Sequence, residues 1–313
     1  MAGSTRMSGR RASNGGPLPQ AAAAVAAPRR LTSSLEALER LERLDGLAAT
    51  VRAKVRSLPL GDARDVLHGL PLGHPLHPAL VQVPLGAWLS AGVLDLLPGE
   101  GRAARRLVAV GLVAALPAAF AGWVDWAEQQ PEQQRVGLVH AASTASAVVL
   151  YAGSLRARLC GRTAAGRALG FAGLTAAGAG GLLGGHLAYR LASGANHAQQ
   201  VPHLVKAGWH GIGRMEEFPV GVPVRRAVGE VPVVVVREAG GSVRVLAEQC
   251  SHLAGPLAEG QVVDGCIQCP WHGSVFRLSD GANVHGPATA PQPAFESRTT
   301  DSGSVEVRLP AAG

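Results

Sequence analysis

The hydrophobic pattern divides the chain in two. From residue 79 to residue 191, apolar residues run in long, nearly uncharged stretches. Residues 79–97 carry one charge, Asp95, near their end; 107–126 carry only Asp125; 136–155 carry none; 168–191 carry only Arg190. Each is close to the roughly 20 apolar residues that cross a bilayer core. Backbone polar groups in lipid must be bonded within their own segment, so the pattern predicts four transmembrane helices. Pro84 and Pro117 are expected to bend theirs. A soluble bundle would show polar faces on its helices, and these segments show none. Gly166/Gly170, Gly180/Gly184 and Gly181/Gly185 have the small-xxx-small spacing that suits close helix packing in lipid.

Before these stretches, Ser33-x-x-Glu36 reads as a capping box. Leu35, Leu38, Leu41, Leu44 and Leu47 follow at three-residue spacing, among Arg40, Arg43, Arg52, Lys54 and Arg56. Residues 31–72 therefore read as an amphipathic helical segment, either lying on the membrane surface or packed as a helix. After residue 191 the texture changes. Val231–Val236 and Val243–Ala247 are β-branched runs separated by Ala239-Gly240-Gly241. Residues 274–278 and 305–309 read as further strands, and Asp280-Gly281 as a turn. The expected fold is multi-domain: an all-α four-helix transmembrane bundle (residues 73–192), a linker (193–207) and an all-β antiparallel sandwich (208–310).

The formal charge of +7 comes mainly from scattered arginines, and only 4% of residues are aromatic. A nucleic-acid surface would interleave basic and aromatic residues, so no nucleic-acid partner is expected. Residues 1–30, rich in Ala, Gly, Ser, Pro and Arg, read as a disordered tail. No apolar core follows Arg10-Arg11, so no cleavable signal is expected. Arginines in the first and third inter-helix loops would place both termini outside. Export of a folded metal domain without a signal argues the other way, and the C-terminal domain is expected on the cytoplasmic face of the cell membrane.

Of the four cysteines, three cluster with histidines. Cys250-Ser251-His252 is followed, after sixteen residues, by Cys269-Pro270-Trp271-His272-Gly273. This is C-x-H…C-x-x-H. In a Rieske centre two thiolates hold one iron and two imidazoles the other, and these spacings let each loop give one ligand to each iron. Two cysteines and two histidines are also a zinc set, and Cys266-x-x-Cys269 mimics a zinc knuckle or redox pair. Zinc leaves the Pro-Trp-His-Gly context unexplained. Cys266 and Cys160 read as small packed hydrophobes.

The two boxes, Cys-Ser-His-Leu-Ala-Gly-Pro-Leu and Cys-Pro-Trp-His-Gly-Ser-Val-Phe, resemble the ligand boxes of the Rieske family in order and spacing, over about residues 208–309. The resemblance implies a [2Fe–2S] cluster in which Cys250 and Cys269 ligate the iron that stays ferric. His252 and His272 would ligate the iron that is reduced. High-potential members resemble one another in carrying an extra cysteine in each box and a hydroxyl pair. Here Ala254 or Gly255 and Trp271 stand in the cysteine places. Ser274 can supply one hydroxyl, and Phe276 stands where a tyrosine would be. Fewer hydrogen bonds to the sulfurs imply a low potential within the family.

Gly73-His74-Pro75-Leu76-His77-Pro78, Gly122-Trp123-Val124-Asp125-Trp126, Gly137-Leu138-Val139-His140 and Gly184-Gly185-His186-Leu187 resemble a bacterial four-helix membrane family of unassigned function. In the predicted topology His74, His77, Asp125, His140 and His186 fall on the side that carries the C-terminal domain. Ionisable groups within membrane helices are costly and point to function. The expectation is either that His140 and His186 bind a haem, a metal or a quinone, or that these are interfacial histidines capping helices or bonded to Asp125. His68, His197, His203, His210 and His285 read as surface residues.

These features point to a membrane-tethered carrier of single electrons. Its expected partners are redox proteins such as a reductase, a terminal oxidase or an oxygenase. Rieske oxygenases resemble the C-terminal domain, but too little chain follows His272 for their second, mononuclear-iron domain, so a complete oxygenase is not expected. The alternatives are an oxidoreductase whose bundle holds its own haem or quinone, and a redox or iron–sulfur sensor.

Overall fold

The computed structural model of the chain describes residues 27–310, with side chains from residue 33 onward. Of the expected disordered tail, residues 1–26 lie outside the described residues. Residues 27–30 belong to the first helix, α1 (Ala27–Glu39). Ser33 is therefore inside a helix and not at its cap. A short turn leads into α2 (Asp45–Arg56), and Arg135 fixes this corner. Its guanidinium donates to both Asp45 carboxylate oxygens (2.6 and 2.7 Å) and to the Glu39 carbonyl (2.8 Å). Leu35 and Leu38 pack on Val136, Leu183 and Leu187, so α1 lies against the bundle.

The first expected span is broken. It forms α4 (Leu76–Leu80) and α5 (Gln82–Asp95), after the short α3 (Ala63–His68). The two helices meet at Val81, and Pro84, in the first turn of α5, has no N–H to answer the Leu80 carbonyl. The 14 residues of α5 reach only about 21 Å, short of a hydrocarbon core of about 30 Å. Among the described residues, three helices are long and apolar enough to cross a membrane, where four were expected: α6 (Gly101–Trp126), α7 (Pro131–Leu159), and α8 (Thr163–Gly185) with its extension to Arg190.

The bundle interior is made of small residues. Trp88 stacks on Tyr151, ring centroids 4.3 Å apart, because Gly111 and Gly173 leave room: a Cβ on either would strike one of the rings. Of the three small-residue pairs, Gly166/Gly170 and Gly180/Gly184 face α7, whereas nothing lies within 4 Å of a Cβ on Gly181 or Gly185. Val113 and Val149 are 70% and 71% exposed, so the large aliphatics point outward. At the end remote from the C-terminal domain, Arg158 grips buried Asp95 through both guanidinium NH2 groups. Cys160, expected to be packed, is exposed at the end of α7.

Residues 193–207 are not an extended tether. They form α9 (Val201–Leu204), and Val201 and Val205 pack on the β core. Beyond them lie β1 (His210–Arg214), β2 (Val224–Val228), β3 (Val231–Arg237), β4 (Val243–Ala247), β5 (Gln261–Val263), β6 (Cys266–Gln268), β7 (Val275–Arg277), β8 (Asn283–His285), β9 (Ala294–Thr299) and β10 (Ser304–Arg308). One antiparallel sheet runs β1-β10-β9-β4-β3-β2, the other β5-β6-β7-β8. The unbroken valine run of β3 follows from burial on both faces. Val233 and Val235 enter one core with Phe218, Phe295 and Val305. Val234 and Val236 enter the other with Leu246, Ile267 and Phe276.

Two contacts tie the β domain to the rest. Asp65 of α3 accepts from His285 Nδ1 (2.7 Å) and from the Gly286 amide (3.0 Å). The His197 amide donates to the Ser251 carbonyl (3.0 Å).

Candidate metal centre

Two loops of the β domain share one construction. In the first, the Cys250 amide donates to the carbonyl five residues on, Gly255 (2.9 Å), and the Cys250 carbonyl accepts from the amide four residues on, Ala254 (2.8 Å). In the second, the Cys269 amide donates to the Ser274 carbonyl (2.8 Å), and its carbonyl accepts from Gly273 (3.1 Å). In both, the fourth residue is left-handed: Ala254 at φ 58° and Gly273 at φ 76°. The loops leave β4 and β6 and stand over the core that contains Cys250, Cys269, Leu257 and Phe276.

The four predicted side chains meet at the tips. The Cys250 and Cys269 side chains are free thiols, both buried in one core cluster. The His252 and His272 rings lie edge to face, centroids 5.0 Å apart. Among the described residues no three His, Cys, Asp or Glu side chains converge on one point; the arrangement is thiol with thiol and imidazole with imidazole. Gly255 makes the thiol side fit, since a Cβ there would come within 2.9 Å of Cys269 Sγ and 3.2 Å of the Trp271 ring. Gly255→Ala is therefore expected to overpack the tip and destabilise the domain by about 1–3 kcal/mol. Thermal melting of the variant, with iron per chain measured alongside, checks this.

A third loop holds the first. Buried Gln292 accepts from the Ser251 amide (3.0 Å) and donates to the carbonyls of Ala247 (2.7 Å) and Gln249 (2.5 Å). The Ser251 hydroxyl donates to the Ala290 carbonyl (2.7 Å). Ser274 Oγ, also buried, accepts from the Ala288 amide (3.1 Å). Sequence reasoning missed Gln292; its one signal was a polar residue enclosed by Pro291 and Pro293.

Electrostatics set the four groups apart. Within the thiol pair Cys269 is pushed down, first by its bond to Cys250 and helped by the Trp271 and His272 amides, while the same bond pushes Cys250 up. Burial holds His252 well below the usual histidine range and pushes His272 down to about 4. Both imidazoles are thus neutral at physiological pH, with lone pairs to give. His252 Nδ1 is buried and has no hydrogen-bond partner. Such an orphan costs about 1–3 kcal/mol unless something takes its lone pair or proton. A cluster that needs two thiolates and two imidazoles fits these residues.

The sign of the acid response follows. An unfolded histidine titrates near 6.5, so between that value and about 4 the unfolded chain binds protons that folded His272 does not. Stability then rises with pH across this window. Cluster-free protein is expected to melt at progressively lower temperature as pH falls from about 6.5 to about 4. A melting temperature that stays flat over that range refutes neutral, buried imidazoles.

The imidazole edge faces the helical region. His252 lies in the field of His68 and His197, and His272 in that of Glu128, Arg56 and Arg52. His68, expected at the surface, is 1% exposed, and its Nδ1 donates to Asp125 (2.8 Å). The Gly69 turn folds α3 back over the end of α6. Likewise His285, also expected as an unpartnered surface residue, is bonded to Asp65.

Of the five membrane-side candidates, the His77 and His140 rings lie 6.2 Å apart, while Asp125 is bonded to His68 (2.8 Å). His74 is exposed and hydrogen-bonded to the Pro75 carbonyl. His186 Nε2 bonds Glu39 (2.8 Å), whereas His140 Nδ1 lies 2.8 Å from the Gly180 carbonyl oxygen, so these two histidines have different partners.

Comparison with known proteins identifies both halves. Residues 208–296 match the Rieske [2Fe-2S] domain family, and residues 73–197 match the family described as predicted membrane protein (DUF2231). The ferredoxin subunit of anthranilate 1,2-dioxygenase from Burkholderia cepacia is 36% identical over 103 residues, 33% of this chain and 94% of that protein. The oxygenase component of dicamba O-demethylase from Stenotrophomonas maltophilia is 34% identical over 84 residues, 27% of this chain and 24% of its own length. This chain thus spans about a quarter of that component. Among solved structures, the ferredoxin of carbazole 1,9a-dioxygenase from Nocardioides aromaticivorans aligns over 33% of this chain and 100% of its own, at 25% identity and a TM-score of 0.32.

Proposed function

The chain belongs to the Rieske [2Fe–2S] family, with a DUF2231 membrane-protein domain ahead of the Rieske domain, and on that premise we propose that it is a membrane-anchored carrier of single electrons. The observation that carries this reading is the pairing at the loop tips: two buried thiols on one side, two neutral imidazoles on the other. Cys250 and Cys269 would hold one iron and His252 and His272 the other; the bound cluster supplies one-electron redox chemistry. The residues around it keep water from the thiols, hold the first loop through Gln292 and the second through the Ser274 hydroxyl, and present the imidazoles neutral. Domain limits at residues 73–192 and 208–310, joined by 193–207, follow the motifs and the packing.

The outward Val and Leu side chains of the long helices support insertion in a bilayer, with the Rieske domain on the cytoplasmic face. The similarity to a dioxygenase ferredoxin subunit supports a reductase as donor and an oxygenase or oxidase as acceptor. A second reading has its own support. Because the imidazole edge faces the helical region, electrons would be exchanged with a haem or quinone there. Reduction by a quinol analogue, set against reduction by a soluble reductase, separates the two.

The test is electron paramagnetic resonance of dithionite-reduced protein in detergent, with iron and zinc measured on the same sample. A rhombic signal of low average g with two irons per chain is expected. Zinc without that signal overturns the reading. The midpoint potential is expected in the lower part of the roughly −150 to +300 mV Rieske range, since Phe276 brings no hydroxyl. A value in the upper quarter rejects that expectation.

A further inference from the structure

Two histidines of the helical region are seated in the same way. His77 Nδ1 lies 2.8 Å from the Ala118 carbonyl oxygen, and its ring rests on Gly122, where a Cβ would approach Nδ1 to 2.8 Å. His140 Nδ1 lies 2.8 Å from the Gly180 carbonyl oxygen, and its ring rests on Gly184, where a Cβ would approach Cε1 to 3.4 Å. In each seat the glycine is four residues after the accepting carbonyl. A carbonyl oxygen only accepts, so each Nδ1 carries a proton and donates it. In the neutral ring this leaves Nε2 with its lone pair free, the tautomer that binds metal.

The same backbone bond fixes each ring's orientation, which is how metal-binding histidines are held by a carbonyl on the far nitrogen. The two rings face each other at 6.2 Å with planes at 85°. Among the described residues neither Nε2 has a hydrogen-bond partner. An imidazole nitrogen binds a zinc-like ion at about 2.0–2.1 Å, so two imidazoles on one ion hold their centroids roughly 5 Å apart at a tetrahedral angle and roughly 6.4 Å apart when trans, and the 6.2 Å separation corresponds to a near-trans pair.

We propose that His77 and His140 form a second metal site, for a divalent transition-metal ion of the copper or zinc type, held by the Nε2 atoms of both rings. Two protein ligands, one fewer than the three of an open catalytic zinc site, leave the remaining positions to water or a small ligand. Its residues are separate from Cys250, His252, Cys269 and His272, so either site can fail without the other.

The probe is Cu2+, added to the full, cluster-loaded and oxidised chain in detergent, in a Cys160→Ser background that removes the exposed thiol. The oxidised cluster has paired electrons and gives no signal of its own. One tightly bound Cu2+ per chain, with nitrogen couplings from two imidazoles, is expected. His77→Gln and His140→Gln should each weaken binding at least about tenfold, and His186→Gln should leave it unchanged. An undiminished Rieske signal after reduction shows that each variant is folded. Wild-type copper spectra without imidazole couplings, or binding that survives in the His77→Gln/His140→Gln double variant, overturn the proposal.

Discussion

Cys269→Ser is expected to abolish the rhombic signal of the reduced protein, while Cys266→Ser, three residues away, leaves it intact. Cys269 is a buried free thiol, packed in one core cluster with Cys250 and backed by Gly255. Cys266 is half-buried within β6, where it pairs with Val263 and Arg277. The contrast separates a binuclear cluster from a zinc knuckle, which would use both residues of Cys266-x-x-Cys269. Loss of a ligand should lower iron content by more than the roughly 10- to 100-fold in affinity that loss of a supporting contact costs. Iron and zinc analysis of both variants measures it. Equal loss in the two, with zinc in the wild type, would place a knuckle there instead.

The largest effect on the helical half is expected from Asp95→Asn. Arg158 donates to both Asp95 oxygens and to the Ser154 hydroxyl (3.1 Å). Arg158 and Asp95 side chains are 3% and 2% exposed. Gly166 opens the space, since a Cβ there would run into the Arg158 stem. Removing one member of a buried pair strands the other charge and costs about 3–5 kcal/mol. Replacing both, as Asp95→Leu/Arg158→Met, should recover most of that, because a packed apolar pair carries no desolvation penalty. Thermal melts in one detergent compare the three proteins. A double variant no better than Asp95→Asn would show that the pair fixes geometry rather than compensating charge.

What was legible in the sequence was local. Cys250, His252, Cys269 and His272 could be read because two short spacings place each pair within one loop. The valines of β3 and β4 could be read as strands from composition alone. What was not legible depends on distant partners. Asp65 reaches His285 and Gly286 across the whole chain, His68 finds Asp125 only when α3 folds over α6, and Gln292 acts on a loop forty residues earlier. The break in the first apolar stretch at Val81 was not legible from its prolines, since Pro84 lies within α5 and Pro117 within unbroken α6. The glycines could be recognised as small, though not which way they face: Gly180 and Gly184 meet α7, and Gly181 and Gly185 do not.

The matched construction of the two cysteine loops sets different tolerances for different kinds of change. Between Cys250 and Gly255, and between Cys269 and Ser274, the chain closes on itself through an amide to the fifth carbonyl and a carbonyl to the fourth amide. Both bonds count residues and ignore side chains. Pro270 is exposed and its missing N–H is not needed by either bond, so changing that side chain leaves the closure intact. Adding or deleting one residue in either loop shifts both bonds at once and moves the histidine relative to its cysteine, even with both cysteines and both histidines still present. Length, more than composition, is the quantity these loops cannot vary.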